Sequence, residues 1–138
     1  YASIPIAVAR GNGVHIWDVE GNKYLDFQSG YSAVNQGHCH PKIYEVFVEQ
    51  AKTLTMCSRA FYSANSGKYA QFMCETFGYD KILPMNTGCE AAETSIKIAR
   101  RWGYEAKGIE PDKAKVILAK GCFWGRSITA SGASDDPV

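Results

Sequence analysis

The chain alternates before it turns helical. Val14-His15-Ile16-Trp17-Asp18-Val19 and Tyr24-Leu25-Asp26-Phe27 are rich in β-formers and flank the turn Glu20-Gly21-Asn22-Lys23. With the earlier turn Gly11-Asn12-Gly13, they predict a hairpin or small meander. After His40 the period changes. Pro41 suits the first turn of a helix, and Ile43, Val46, Phe47, Ala51 and Leu54 share one apolar face. A second helix is expected from about Asn65 to Phe77, with Tyr69, Phe72 and Met73 inward and Gly78 as its C-cap. Lys81–Met85 reads as a short strand, placed at an edge or strand end by Pro84. A third helix carries Ala92, Ser95, Ile96, Ala99 and Trp102 on one face. Gly108–Lys113 reads as a loop. Val116-Ile117-Leu118-Ala119 is a continuous apolar run, as for a strand covered on both faces. Strand, helix and strand in the second half predict a βαβ unit, hence an α/β fold with a parallel sheet.

Composition narrows the class. The 138 residues are 46% hydrophobic and 21% charged, with 13 Gly and 5 Pro. These proportions fit a globular chain rather than a disordered or collagenous one. No apolar run approaches the ~20 residues of a membrane helix, so no membrane role is expected. Fifteen basic and 14 acidic side chains leave a net charge of +1, and without a basic stripe nucleic acid is not an expected partner. Arg100-Arg101 reads as a solvated helix end. Five widely spaced cysteines without a CxxC argue against a secreted disulfide scaffold and for a reducing, intracellular compartment. The chain begins at Tyr1 rather than Met and stops just after Asp135-Asp136-Pro137, so a piece of a longer protein is expected.

Three stretches carry candidate chemistry. In Asn86-Thr87-Gly88-Cys89-Glu90-Ala91 a strand ends, glycine turns the chain and a helix starts. Free backbone N–H groups there suit a phosphate or carboxylate. Thr87 with Glu90 is equally a capping box, and the two readings are compatible. In Gly121-Cys122-Phe123-Trp124-Gly125-Arg126 the aromatics could stack a planar ring and the arginine grip a carboxylate. The alternative is a loop with core-filling aromatics and a solvated Arg126. Tyr31–Pro41 is a polar, turn-rich segment of the kind found at binding sites, or simply a connection. Gly11 and Gly13 do not make a dinucleotide fingerprint, since Ile16 stands where a third glycine is required. His38-Cys39-His40 lacks further ligands at zinc spacing, so no metal is assigned.

Together these stretches resemble the class III, fold-type I pyridoxal-phosphate (PLP) aminotransferases, and among them the ornithine-using branch. The resemblance runs in order through Tyr1–Pro5, GNGVHIWDVEGNKYLDF (11–27), YSAVNQGHCHPKI (31–43), SRAFYS (58–63), MNTGCEAAET (85–94), ARRWGYEAKGI (99–109) and FWGRSI (123–128). It implies the N-terminal third of such an enzyme. Residues 1–60 would form the N-terminal β-segment and its following helix. Residues 61–138 would begin the large PLP-binding domain, with a mainly parallel sheet and flanking helices.

The resemblance also implies roles. The backbone amides of Gly88 and Cys89, with Thr87 beside them, would hold the cofactor phosphate, leaving the Cys89 side chain of little consequence. Phe123 would stack on the pyridine ring, and Trp124 would shape the neighbouring wall. Arg126 would pair with a substrate carboxylate. Tyr1 would meet the α-amino and carboxylate end of ornithine, and Tyr31 would select ornithine over related amines. The implied reaction moves the δ-amino group of ornithine to 2-oxoglutarate, giving glutamate 5-semialdehyde and glutamate, in a homodimer in the cytoplasm or mitochondrial matrix, with the cytoplasm preferred.

PLP chemistry needs a lysine that bonds the cofactor and an acid facing its ring nitrogen. The resemblance puts both downstream of Val138. None of the ten lysines present matches that context, so no catalytic residue is assigned within the chain and the piece alone is expected to be inactive. Two positions depart from the pattern. Cys122 stands in place of the usual Asn, which is expected to loosen the aromatic loop, and Gly30 stands in place of a small Ser- or Ala-like residue. Rival readings are another class III aminotransferase, of the acetylornithine or 4-aminobutyrate type, and a non-catalytic module that binds a phosphate ligand or a partner.

Overall fold

The β-formers at the start of the chain pair as a three-stranded antiparallel meander. Strands β1 (Val8–Asn12), β2 (His15–Asp18) and β3 (Lys23–Leu25) lie in sequence order. The computed structural model describes residues 3–135, and the chain divides into two compact units, Tyr1–Ser66 and Gly67–Val138.

In the first unit the register sets Arg10 and Lys23 on either side of Trp17. The Arg10 guanidinium carbon stands 4.0 Å from the indole centroid and Lys23 Nζ 5.5 Å, so one indole ring attracts two cations. The β2–β3 turn is built around Asp18. Its carboxylate accepts the N–H groups of Glu20 (3.0 Å) and Asn22 (2.8 Å), the Asn22 side-chain amide (2.9 Å) and the Tyr24 hydroxyl (2.8 Å). Asp18 is buried. These donors, the Asn22 side chain foremost, lower its pKa to about 2.

After the meander comes the single turn α1 (Ser29–Ser32), then α2 (Pro41–Thr53), which opens with Pro41 as expected. The periodicity of α2 is realised but its apolar face is uncovered: Ile43, Val46, Phe47 and Leu54 are all exposed. Helix α3 (Ala64–Phe77) spans the expected segment. It ends at Gly78, whose φ of 71° lets both its own N–H and that of Tyr79 reach the Cys74 carbonyl. Tyr69 and Phe72 are exposed rather than inward, because among the described residues nothing packs on them.

The second unit contains α4 (Gly88–Glu105) and α5 (Ile128–Ala133). The two strands expected here do not form. Lys81–Met85 and Val116–Ala119 have no ladder partner among the described residues, and Ile117 is 95% exposed instead of covered on both faces. A strand exists only through its neighbour's hydrogen bonds, and Pro84 cannot donate one. The helix of the expected βαβ unit is therefore present without its parallel sheet.

Burial is sparse. Ala130 is the one buried hydrophobic residue among those described. The accessible surface is 12009 Å², against about 7,100 Å² for a folded monomer of this mass. The elements have formed, and most of their apolar faces lack cover.

Candidate functional site

Helix α4 begins with the capping box. Thr87 Oγ1 accepts the Glu90 N–H (3.1 Å), and Glu90 Oε2 accepts the N–H groups of Thr87 (3.0 Å) and Asn86 (2.9 Å). A helix start leaves about four N–H groups without intrahelical partners. The box uses those of Thr87 and Glu90. Two remain, on Gly88 and Cys89, and neither has an acceptor among the described residues. A Cβ on Gly88 would meet nothing within 4 Å. The surplus donors are the two that the family resemblance assigns to a phosphate, they sit at the positive end of the helix, and the approach is open.

The Phe123–Arg126 loop is fixed against this helix start through Cys89. A Cβ built on Gly125 would lie 2.7 Å from Cys89 Sγ. The Ser127 hydroxyl and backbone, then the Arg126 backbone, engage the thiol and hold it below its ordinary pKa. The Cys89 side chain thus lies against the loop at Gly125. Position 125 has φ of 123°, a conformation that favours glycine.

Helix α5, which the sequence reading missed, holds the loop from its other end. Ser127 caps it through the Ala130 N–H (3.1 Å), and the Ser127-x-x-Ala130 spacing was the available signal. At its C-terminus Ser134 Oγ accepts the Trp124 N–H (2.9 Å), and Asp135 Oδ1 accepts that of Cys122 (3.0 Å). Cys122 Sγ also reaches the Ala133 carbonyl at 3.6 Å. These bonds tie the loop backbone at Cys122 and Trp124 to the end of α5. Phe123 is 61% exposed and Arg126 is exposed at the loop surface.

Thr87, Gly88, Cys89, Phe123, Trp124 and Arg126 therefore fall within the second unit, around the α4 start and the loop packed on it. Tyr31 belongs to the first unit, and Tyr1 lies outside the described residues. Tyr31 is 74% exposed and sits in α1, whose four φ values are 49°, 59°, 57° and 69° from Ser29 to Ser32. Gly30 and Tyr31 have ψ of 42° and 47°, so α1 is a turn of left-handed helix. Such a backbone costs each non-glycine residue about 1–2 kcal/mol. Gly30 relieves one position, so its departure from the family pattern suits the turn.

Each amide through the turn has an acceptor. Asp26 Oδ1 accepts from Gln28 (3.1 Å) and Ser29 (2.8 Å), and Gln28 Oε1 accepts from Gly30 (2.9 Å). The Gln28 carbonyl accepts from Tyr31 and Ser32, that of Gly30 from Ala33, and that of Ser29 from Val34. The second oxygen of Asp26 bonds His38 Nε2 at 2.7 Å. His38, followed by the Ser29 amide, keeps the Asp26 carboxyl below its usual range.

The family model for aminotransferase class III matches residues 1–137. The chain is similar to the probable mitochondrial ornithine aminotransferase of Caenorhabditis elegans, 55% identical over 99% of this chain and 32% of the relative. Among solved structures it is similar to an ornithine aminotransferase from Toxoplasma gondii, described with PLP at partial occupancy in its active site. The TM-score is 0.94 and the identity 49%, over 98% of this chain and 32% of that one. It is also similar to an acetylornithine aminotransferase from Elizabethkingia anophelis, with TM-score 0.83 and 54% identity over 88% of this chain and 32% of that one. The chain spans about a third of the length of the curated relatives it matches. With the family model covering all but the last residue, the chain belongs to the class III aminotransferases.

Proposed function

We propose that this chain is the N-terminal part of a PLP-dependent ornithine aminotransferase, moving the δ-amino group of L-ornithine to 2-oxoglutarate to give glutamate 5-semialdehyde and glutamate. The observation that carries the reading is the pair of surplus amides on Gly88 and Cys89 at an open helix start, with the Phe123–Arg126 loop packed against it. The donor set fits a phosphate ester: two N–H groups at a positive helix end, and no carboxylate bound to them. When bound, PLP supplies the electron sink that lets an amino group leave one carbon skeleton for another.

In this reading Gly88 and Cys89, with Thr87, orient the phosphate. Phe123 covers one face of the ring and Trp124 limits the pocket beside it. Arg126 takes a substrate carboxylate with its planar fork. Tyr31 and Tyr1 select and hold the amine substrate. Residues 1–60 serve as the N-terminal segment and 61–138 open the cofactor domain. The uncovered faces of α2 and α3 support assembly with further polypeptide and, in the whole enzyme, with a second copy. Five free thiols and a relative named as mitochondrial support an intracellular setting, cytoplasm or mitochondrial matrix. No helix among the described residues is long and apolar enough to cross a membrane.

A second reading, acetylornithine as the amine donor, is favoured by the 54% identity to the Elizabethkingia enzyme. Steady-state kinetics of the full-length protein with both amines separates the two. A higher kcat/KM for ornithine is expected. A higher value for the acetylated amine supports the second reading, and no turnover of either, with PLP bound, overturns both.

A further inference from the structure

We propose that Asp26 and His38 are positioning residues for amine selection, acting through the left-handed turn that presents Tyr31. The proposal rests on the reading above in which Tyr31 selects ornithine.

Four successive left-handed residues, three of them not glycine, do not hold themselves. Their conformation persists only if the surroundings over-determine it. The overriding group here is one carboxylate. Asp26 Oδ1 collects the two amides that lead into the turn, and Oδ2 is held by His38. Both partners are fixed to the meander. The Asp26 N–H donates to the Val14 carbonyl at 2.9 Å, and His38 and Gly13 exchange N–H···O bonds of 2.8 and 2.9 Å.

The surrounding backbone is shaped for this pair. A Cβ on Gly11 would lie 2.5 Å from His38 Cγ, so only glycine there admits the imidazole. A Cβ on Gly37 would lie 3.1 Å from the Gly13 backbone, and Gly37 has φ of 90°. The Asp26 side chain is 11% exposed and that of His38 28%, which shields the bond from water. A rigid sheet end thus reaches, through one carboxylate, the amides two and three residues before Tyr31, at the entry of the strained turn. Loss of that carboxylate removes the acceptor of two amides at the turn's entry and so loosens the frame that presents Tyr31.

The test uses the full-length enzyme with Tyr31→Ile, Asp26→Ala, Asp26→Asn, His38→Gln and the double variant Asp26→Ala/Tyr31→Ile. PLP binding is read by absorbance, and preference as the ratio of kcat/KM for ornithine to that for acetylornithine. Asp26→Ala is expected to lower kcat/KM for ornithine about tenfold or more, carried mainly by KM, with PLP still bound. Asp26→Asn, which keeps an acceptor for the two amides, should retain more of the preference. The double variant should lose no more preference than Tyr31→Ile alone. If Tyr31→Ile leaves preference intact, the pocket reading fails and this proposal with it. If Tyr31→Ile loses preference while the Asp26 and His38 variants keep it, or if the double variant shows additive loss, the positioning role is overturned. Should Asp26→Ala fail to fold, Asp26→Asn and His38→Gln decide: unchanged preference in both overturns the proposal.

Discussion

The sulfur of Cys89 occupies the space that a side chain at position 125 would need, with the would-be Cβ of residue 125 only 2.7 Å from Sγ and 3.0 Å from Cys89 Cβ. Gly125→Ala is therefore expected to destabilise the full-length enzyme by about 2–4 kcal/mol, combining left-handed strain with overpacking. Cys89→Gly in the same chain should restore the overpacking part and leave the strain. Thermal denaturation of the single and double variants measures both; equal stability of the two would mean that Cys89 does not limit the site.

The helix start weights stability and ligand binding differently. Thr87→Ala removes the hydroxyl cap and should cost about 1 kcal/mol; it also takes Thr87 from beside the phosphate, so PLP affinity should fall by a few-fold while the Gly88 and Cys89 donors stay in place. Gly88→Pro should spare stability and act on binding. Proline is tolerated at the first helical position, and Thr87 already has the extended conformation a following proline demands (φ −137°, ψ 160°). The helix should survive while one phosphate donor is lost, weakening PLP binding by roughly 10- to 100-fold. Equilibrium titration with PLP, beside circular dichroism, checks the contrast.

Arg126→Ala should raise KM for ornithine by roughly 10- to 100-fold, since a charge-assisted hydrogen-bond pair is lost, with PLP affinity held within a few-fold. Arg126→Lys should recover part of the loss, because a point charge replaces a planar fork. Equal loss of cofactor and substrate in Arg126→Ala would remove its carboxylate role.

The turn at Asp18 makes an acid-side prediction. Its folded-state pKa, about 2, lies below the ordinary carboxyl value of about 4. The native state therefore binds the proton less readily than the unfolded one. The contribution to stability is complete above about pH 4 and is lost as pH falls towards 2. Asp18→Asn should lower stability at pH 7 and flatten that part of the pH profile. Denaturant midpoints from pH 2 to 7 for both proteins test this. Parallel profiles would exclude Asp18 as a source of the acid sensitivity.

Local signals in the sequence proved reliable where the physics is local. Pro41 marks a helix start by its fixed φ and missing donor, and the Thr87/Glu90 box and Gly78 mark helix ends by bonds to groups five or fewer residues away; each stands where expected. Lys81–Met85 and Val116–Ala119 form no ladder among the described residues because a strand depends on a neighbour that no local pattern supplies. The inward faces expected of α2 and α3 failed for the same reason: periodicity says which side is apolar, not what covers it. The left-handed turn was illegible because Gly30 alone announces it, while the device that holds it joins residues twelve positions apart, Asp26 and His38. The nearness of Cys89 to Gly125 was illegible because the two meet across a loop closure that no local pattern reveals. The grouping of the α4 start with the Phe123–Arg126 loop was legible through the family resemblance, since each motif alone had an ordinary structural explanation.

The uncovered faces of α2 and α3 have a consequence for synthesis. In a chain of the relatives' length, this third leaves the ribosome while about twice as many residues remain to be added. At about 5–20 residues per second, Phe47, Phe72 and their neighbours would stay uncovered for tens of seconds before further segments arrive. A chain so exposed during synthesis is open to aggregation, and the yield of the proposed full-length enzyme should depend on translation speed as much as on the stability of the finished fold.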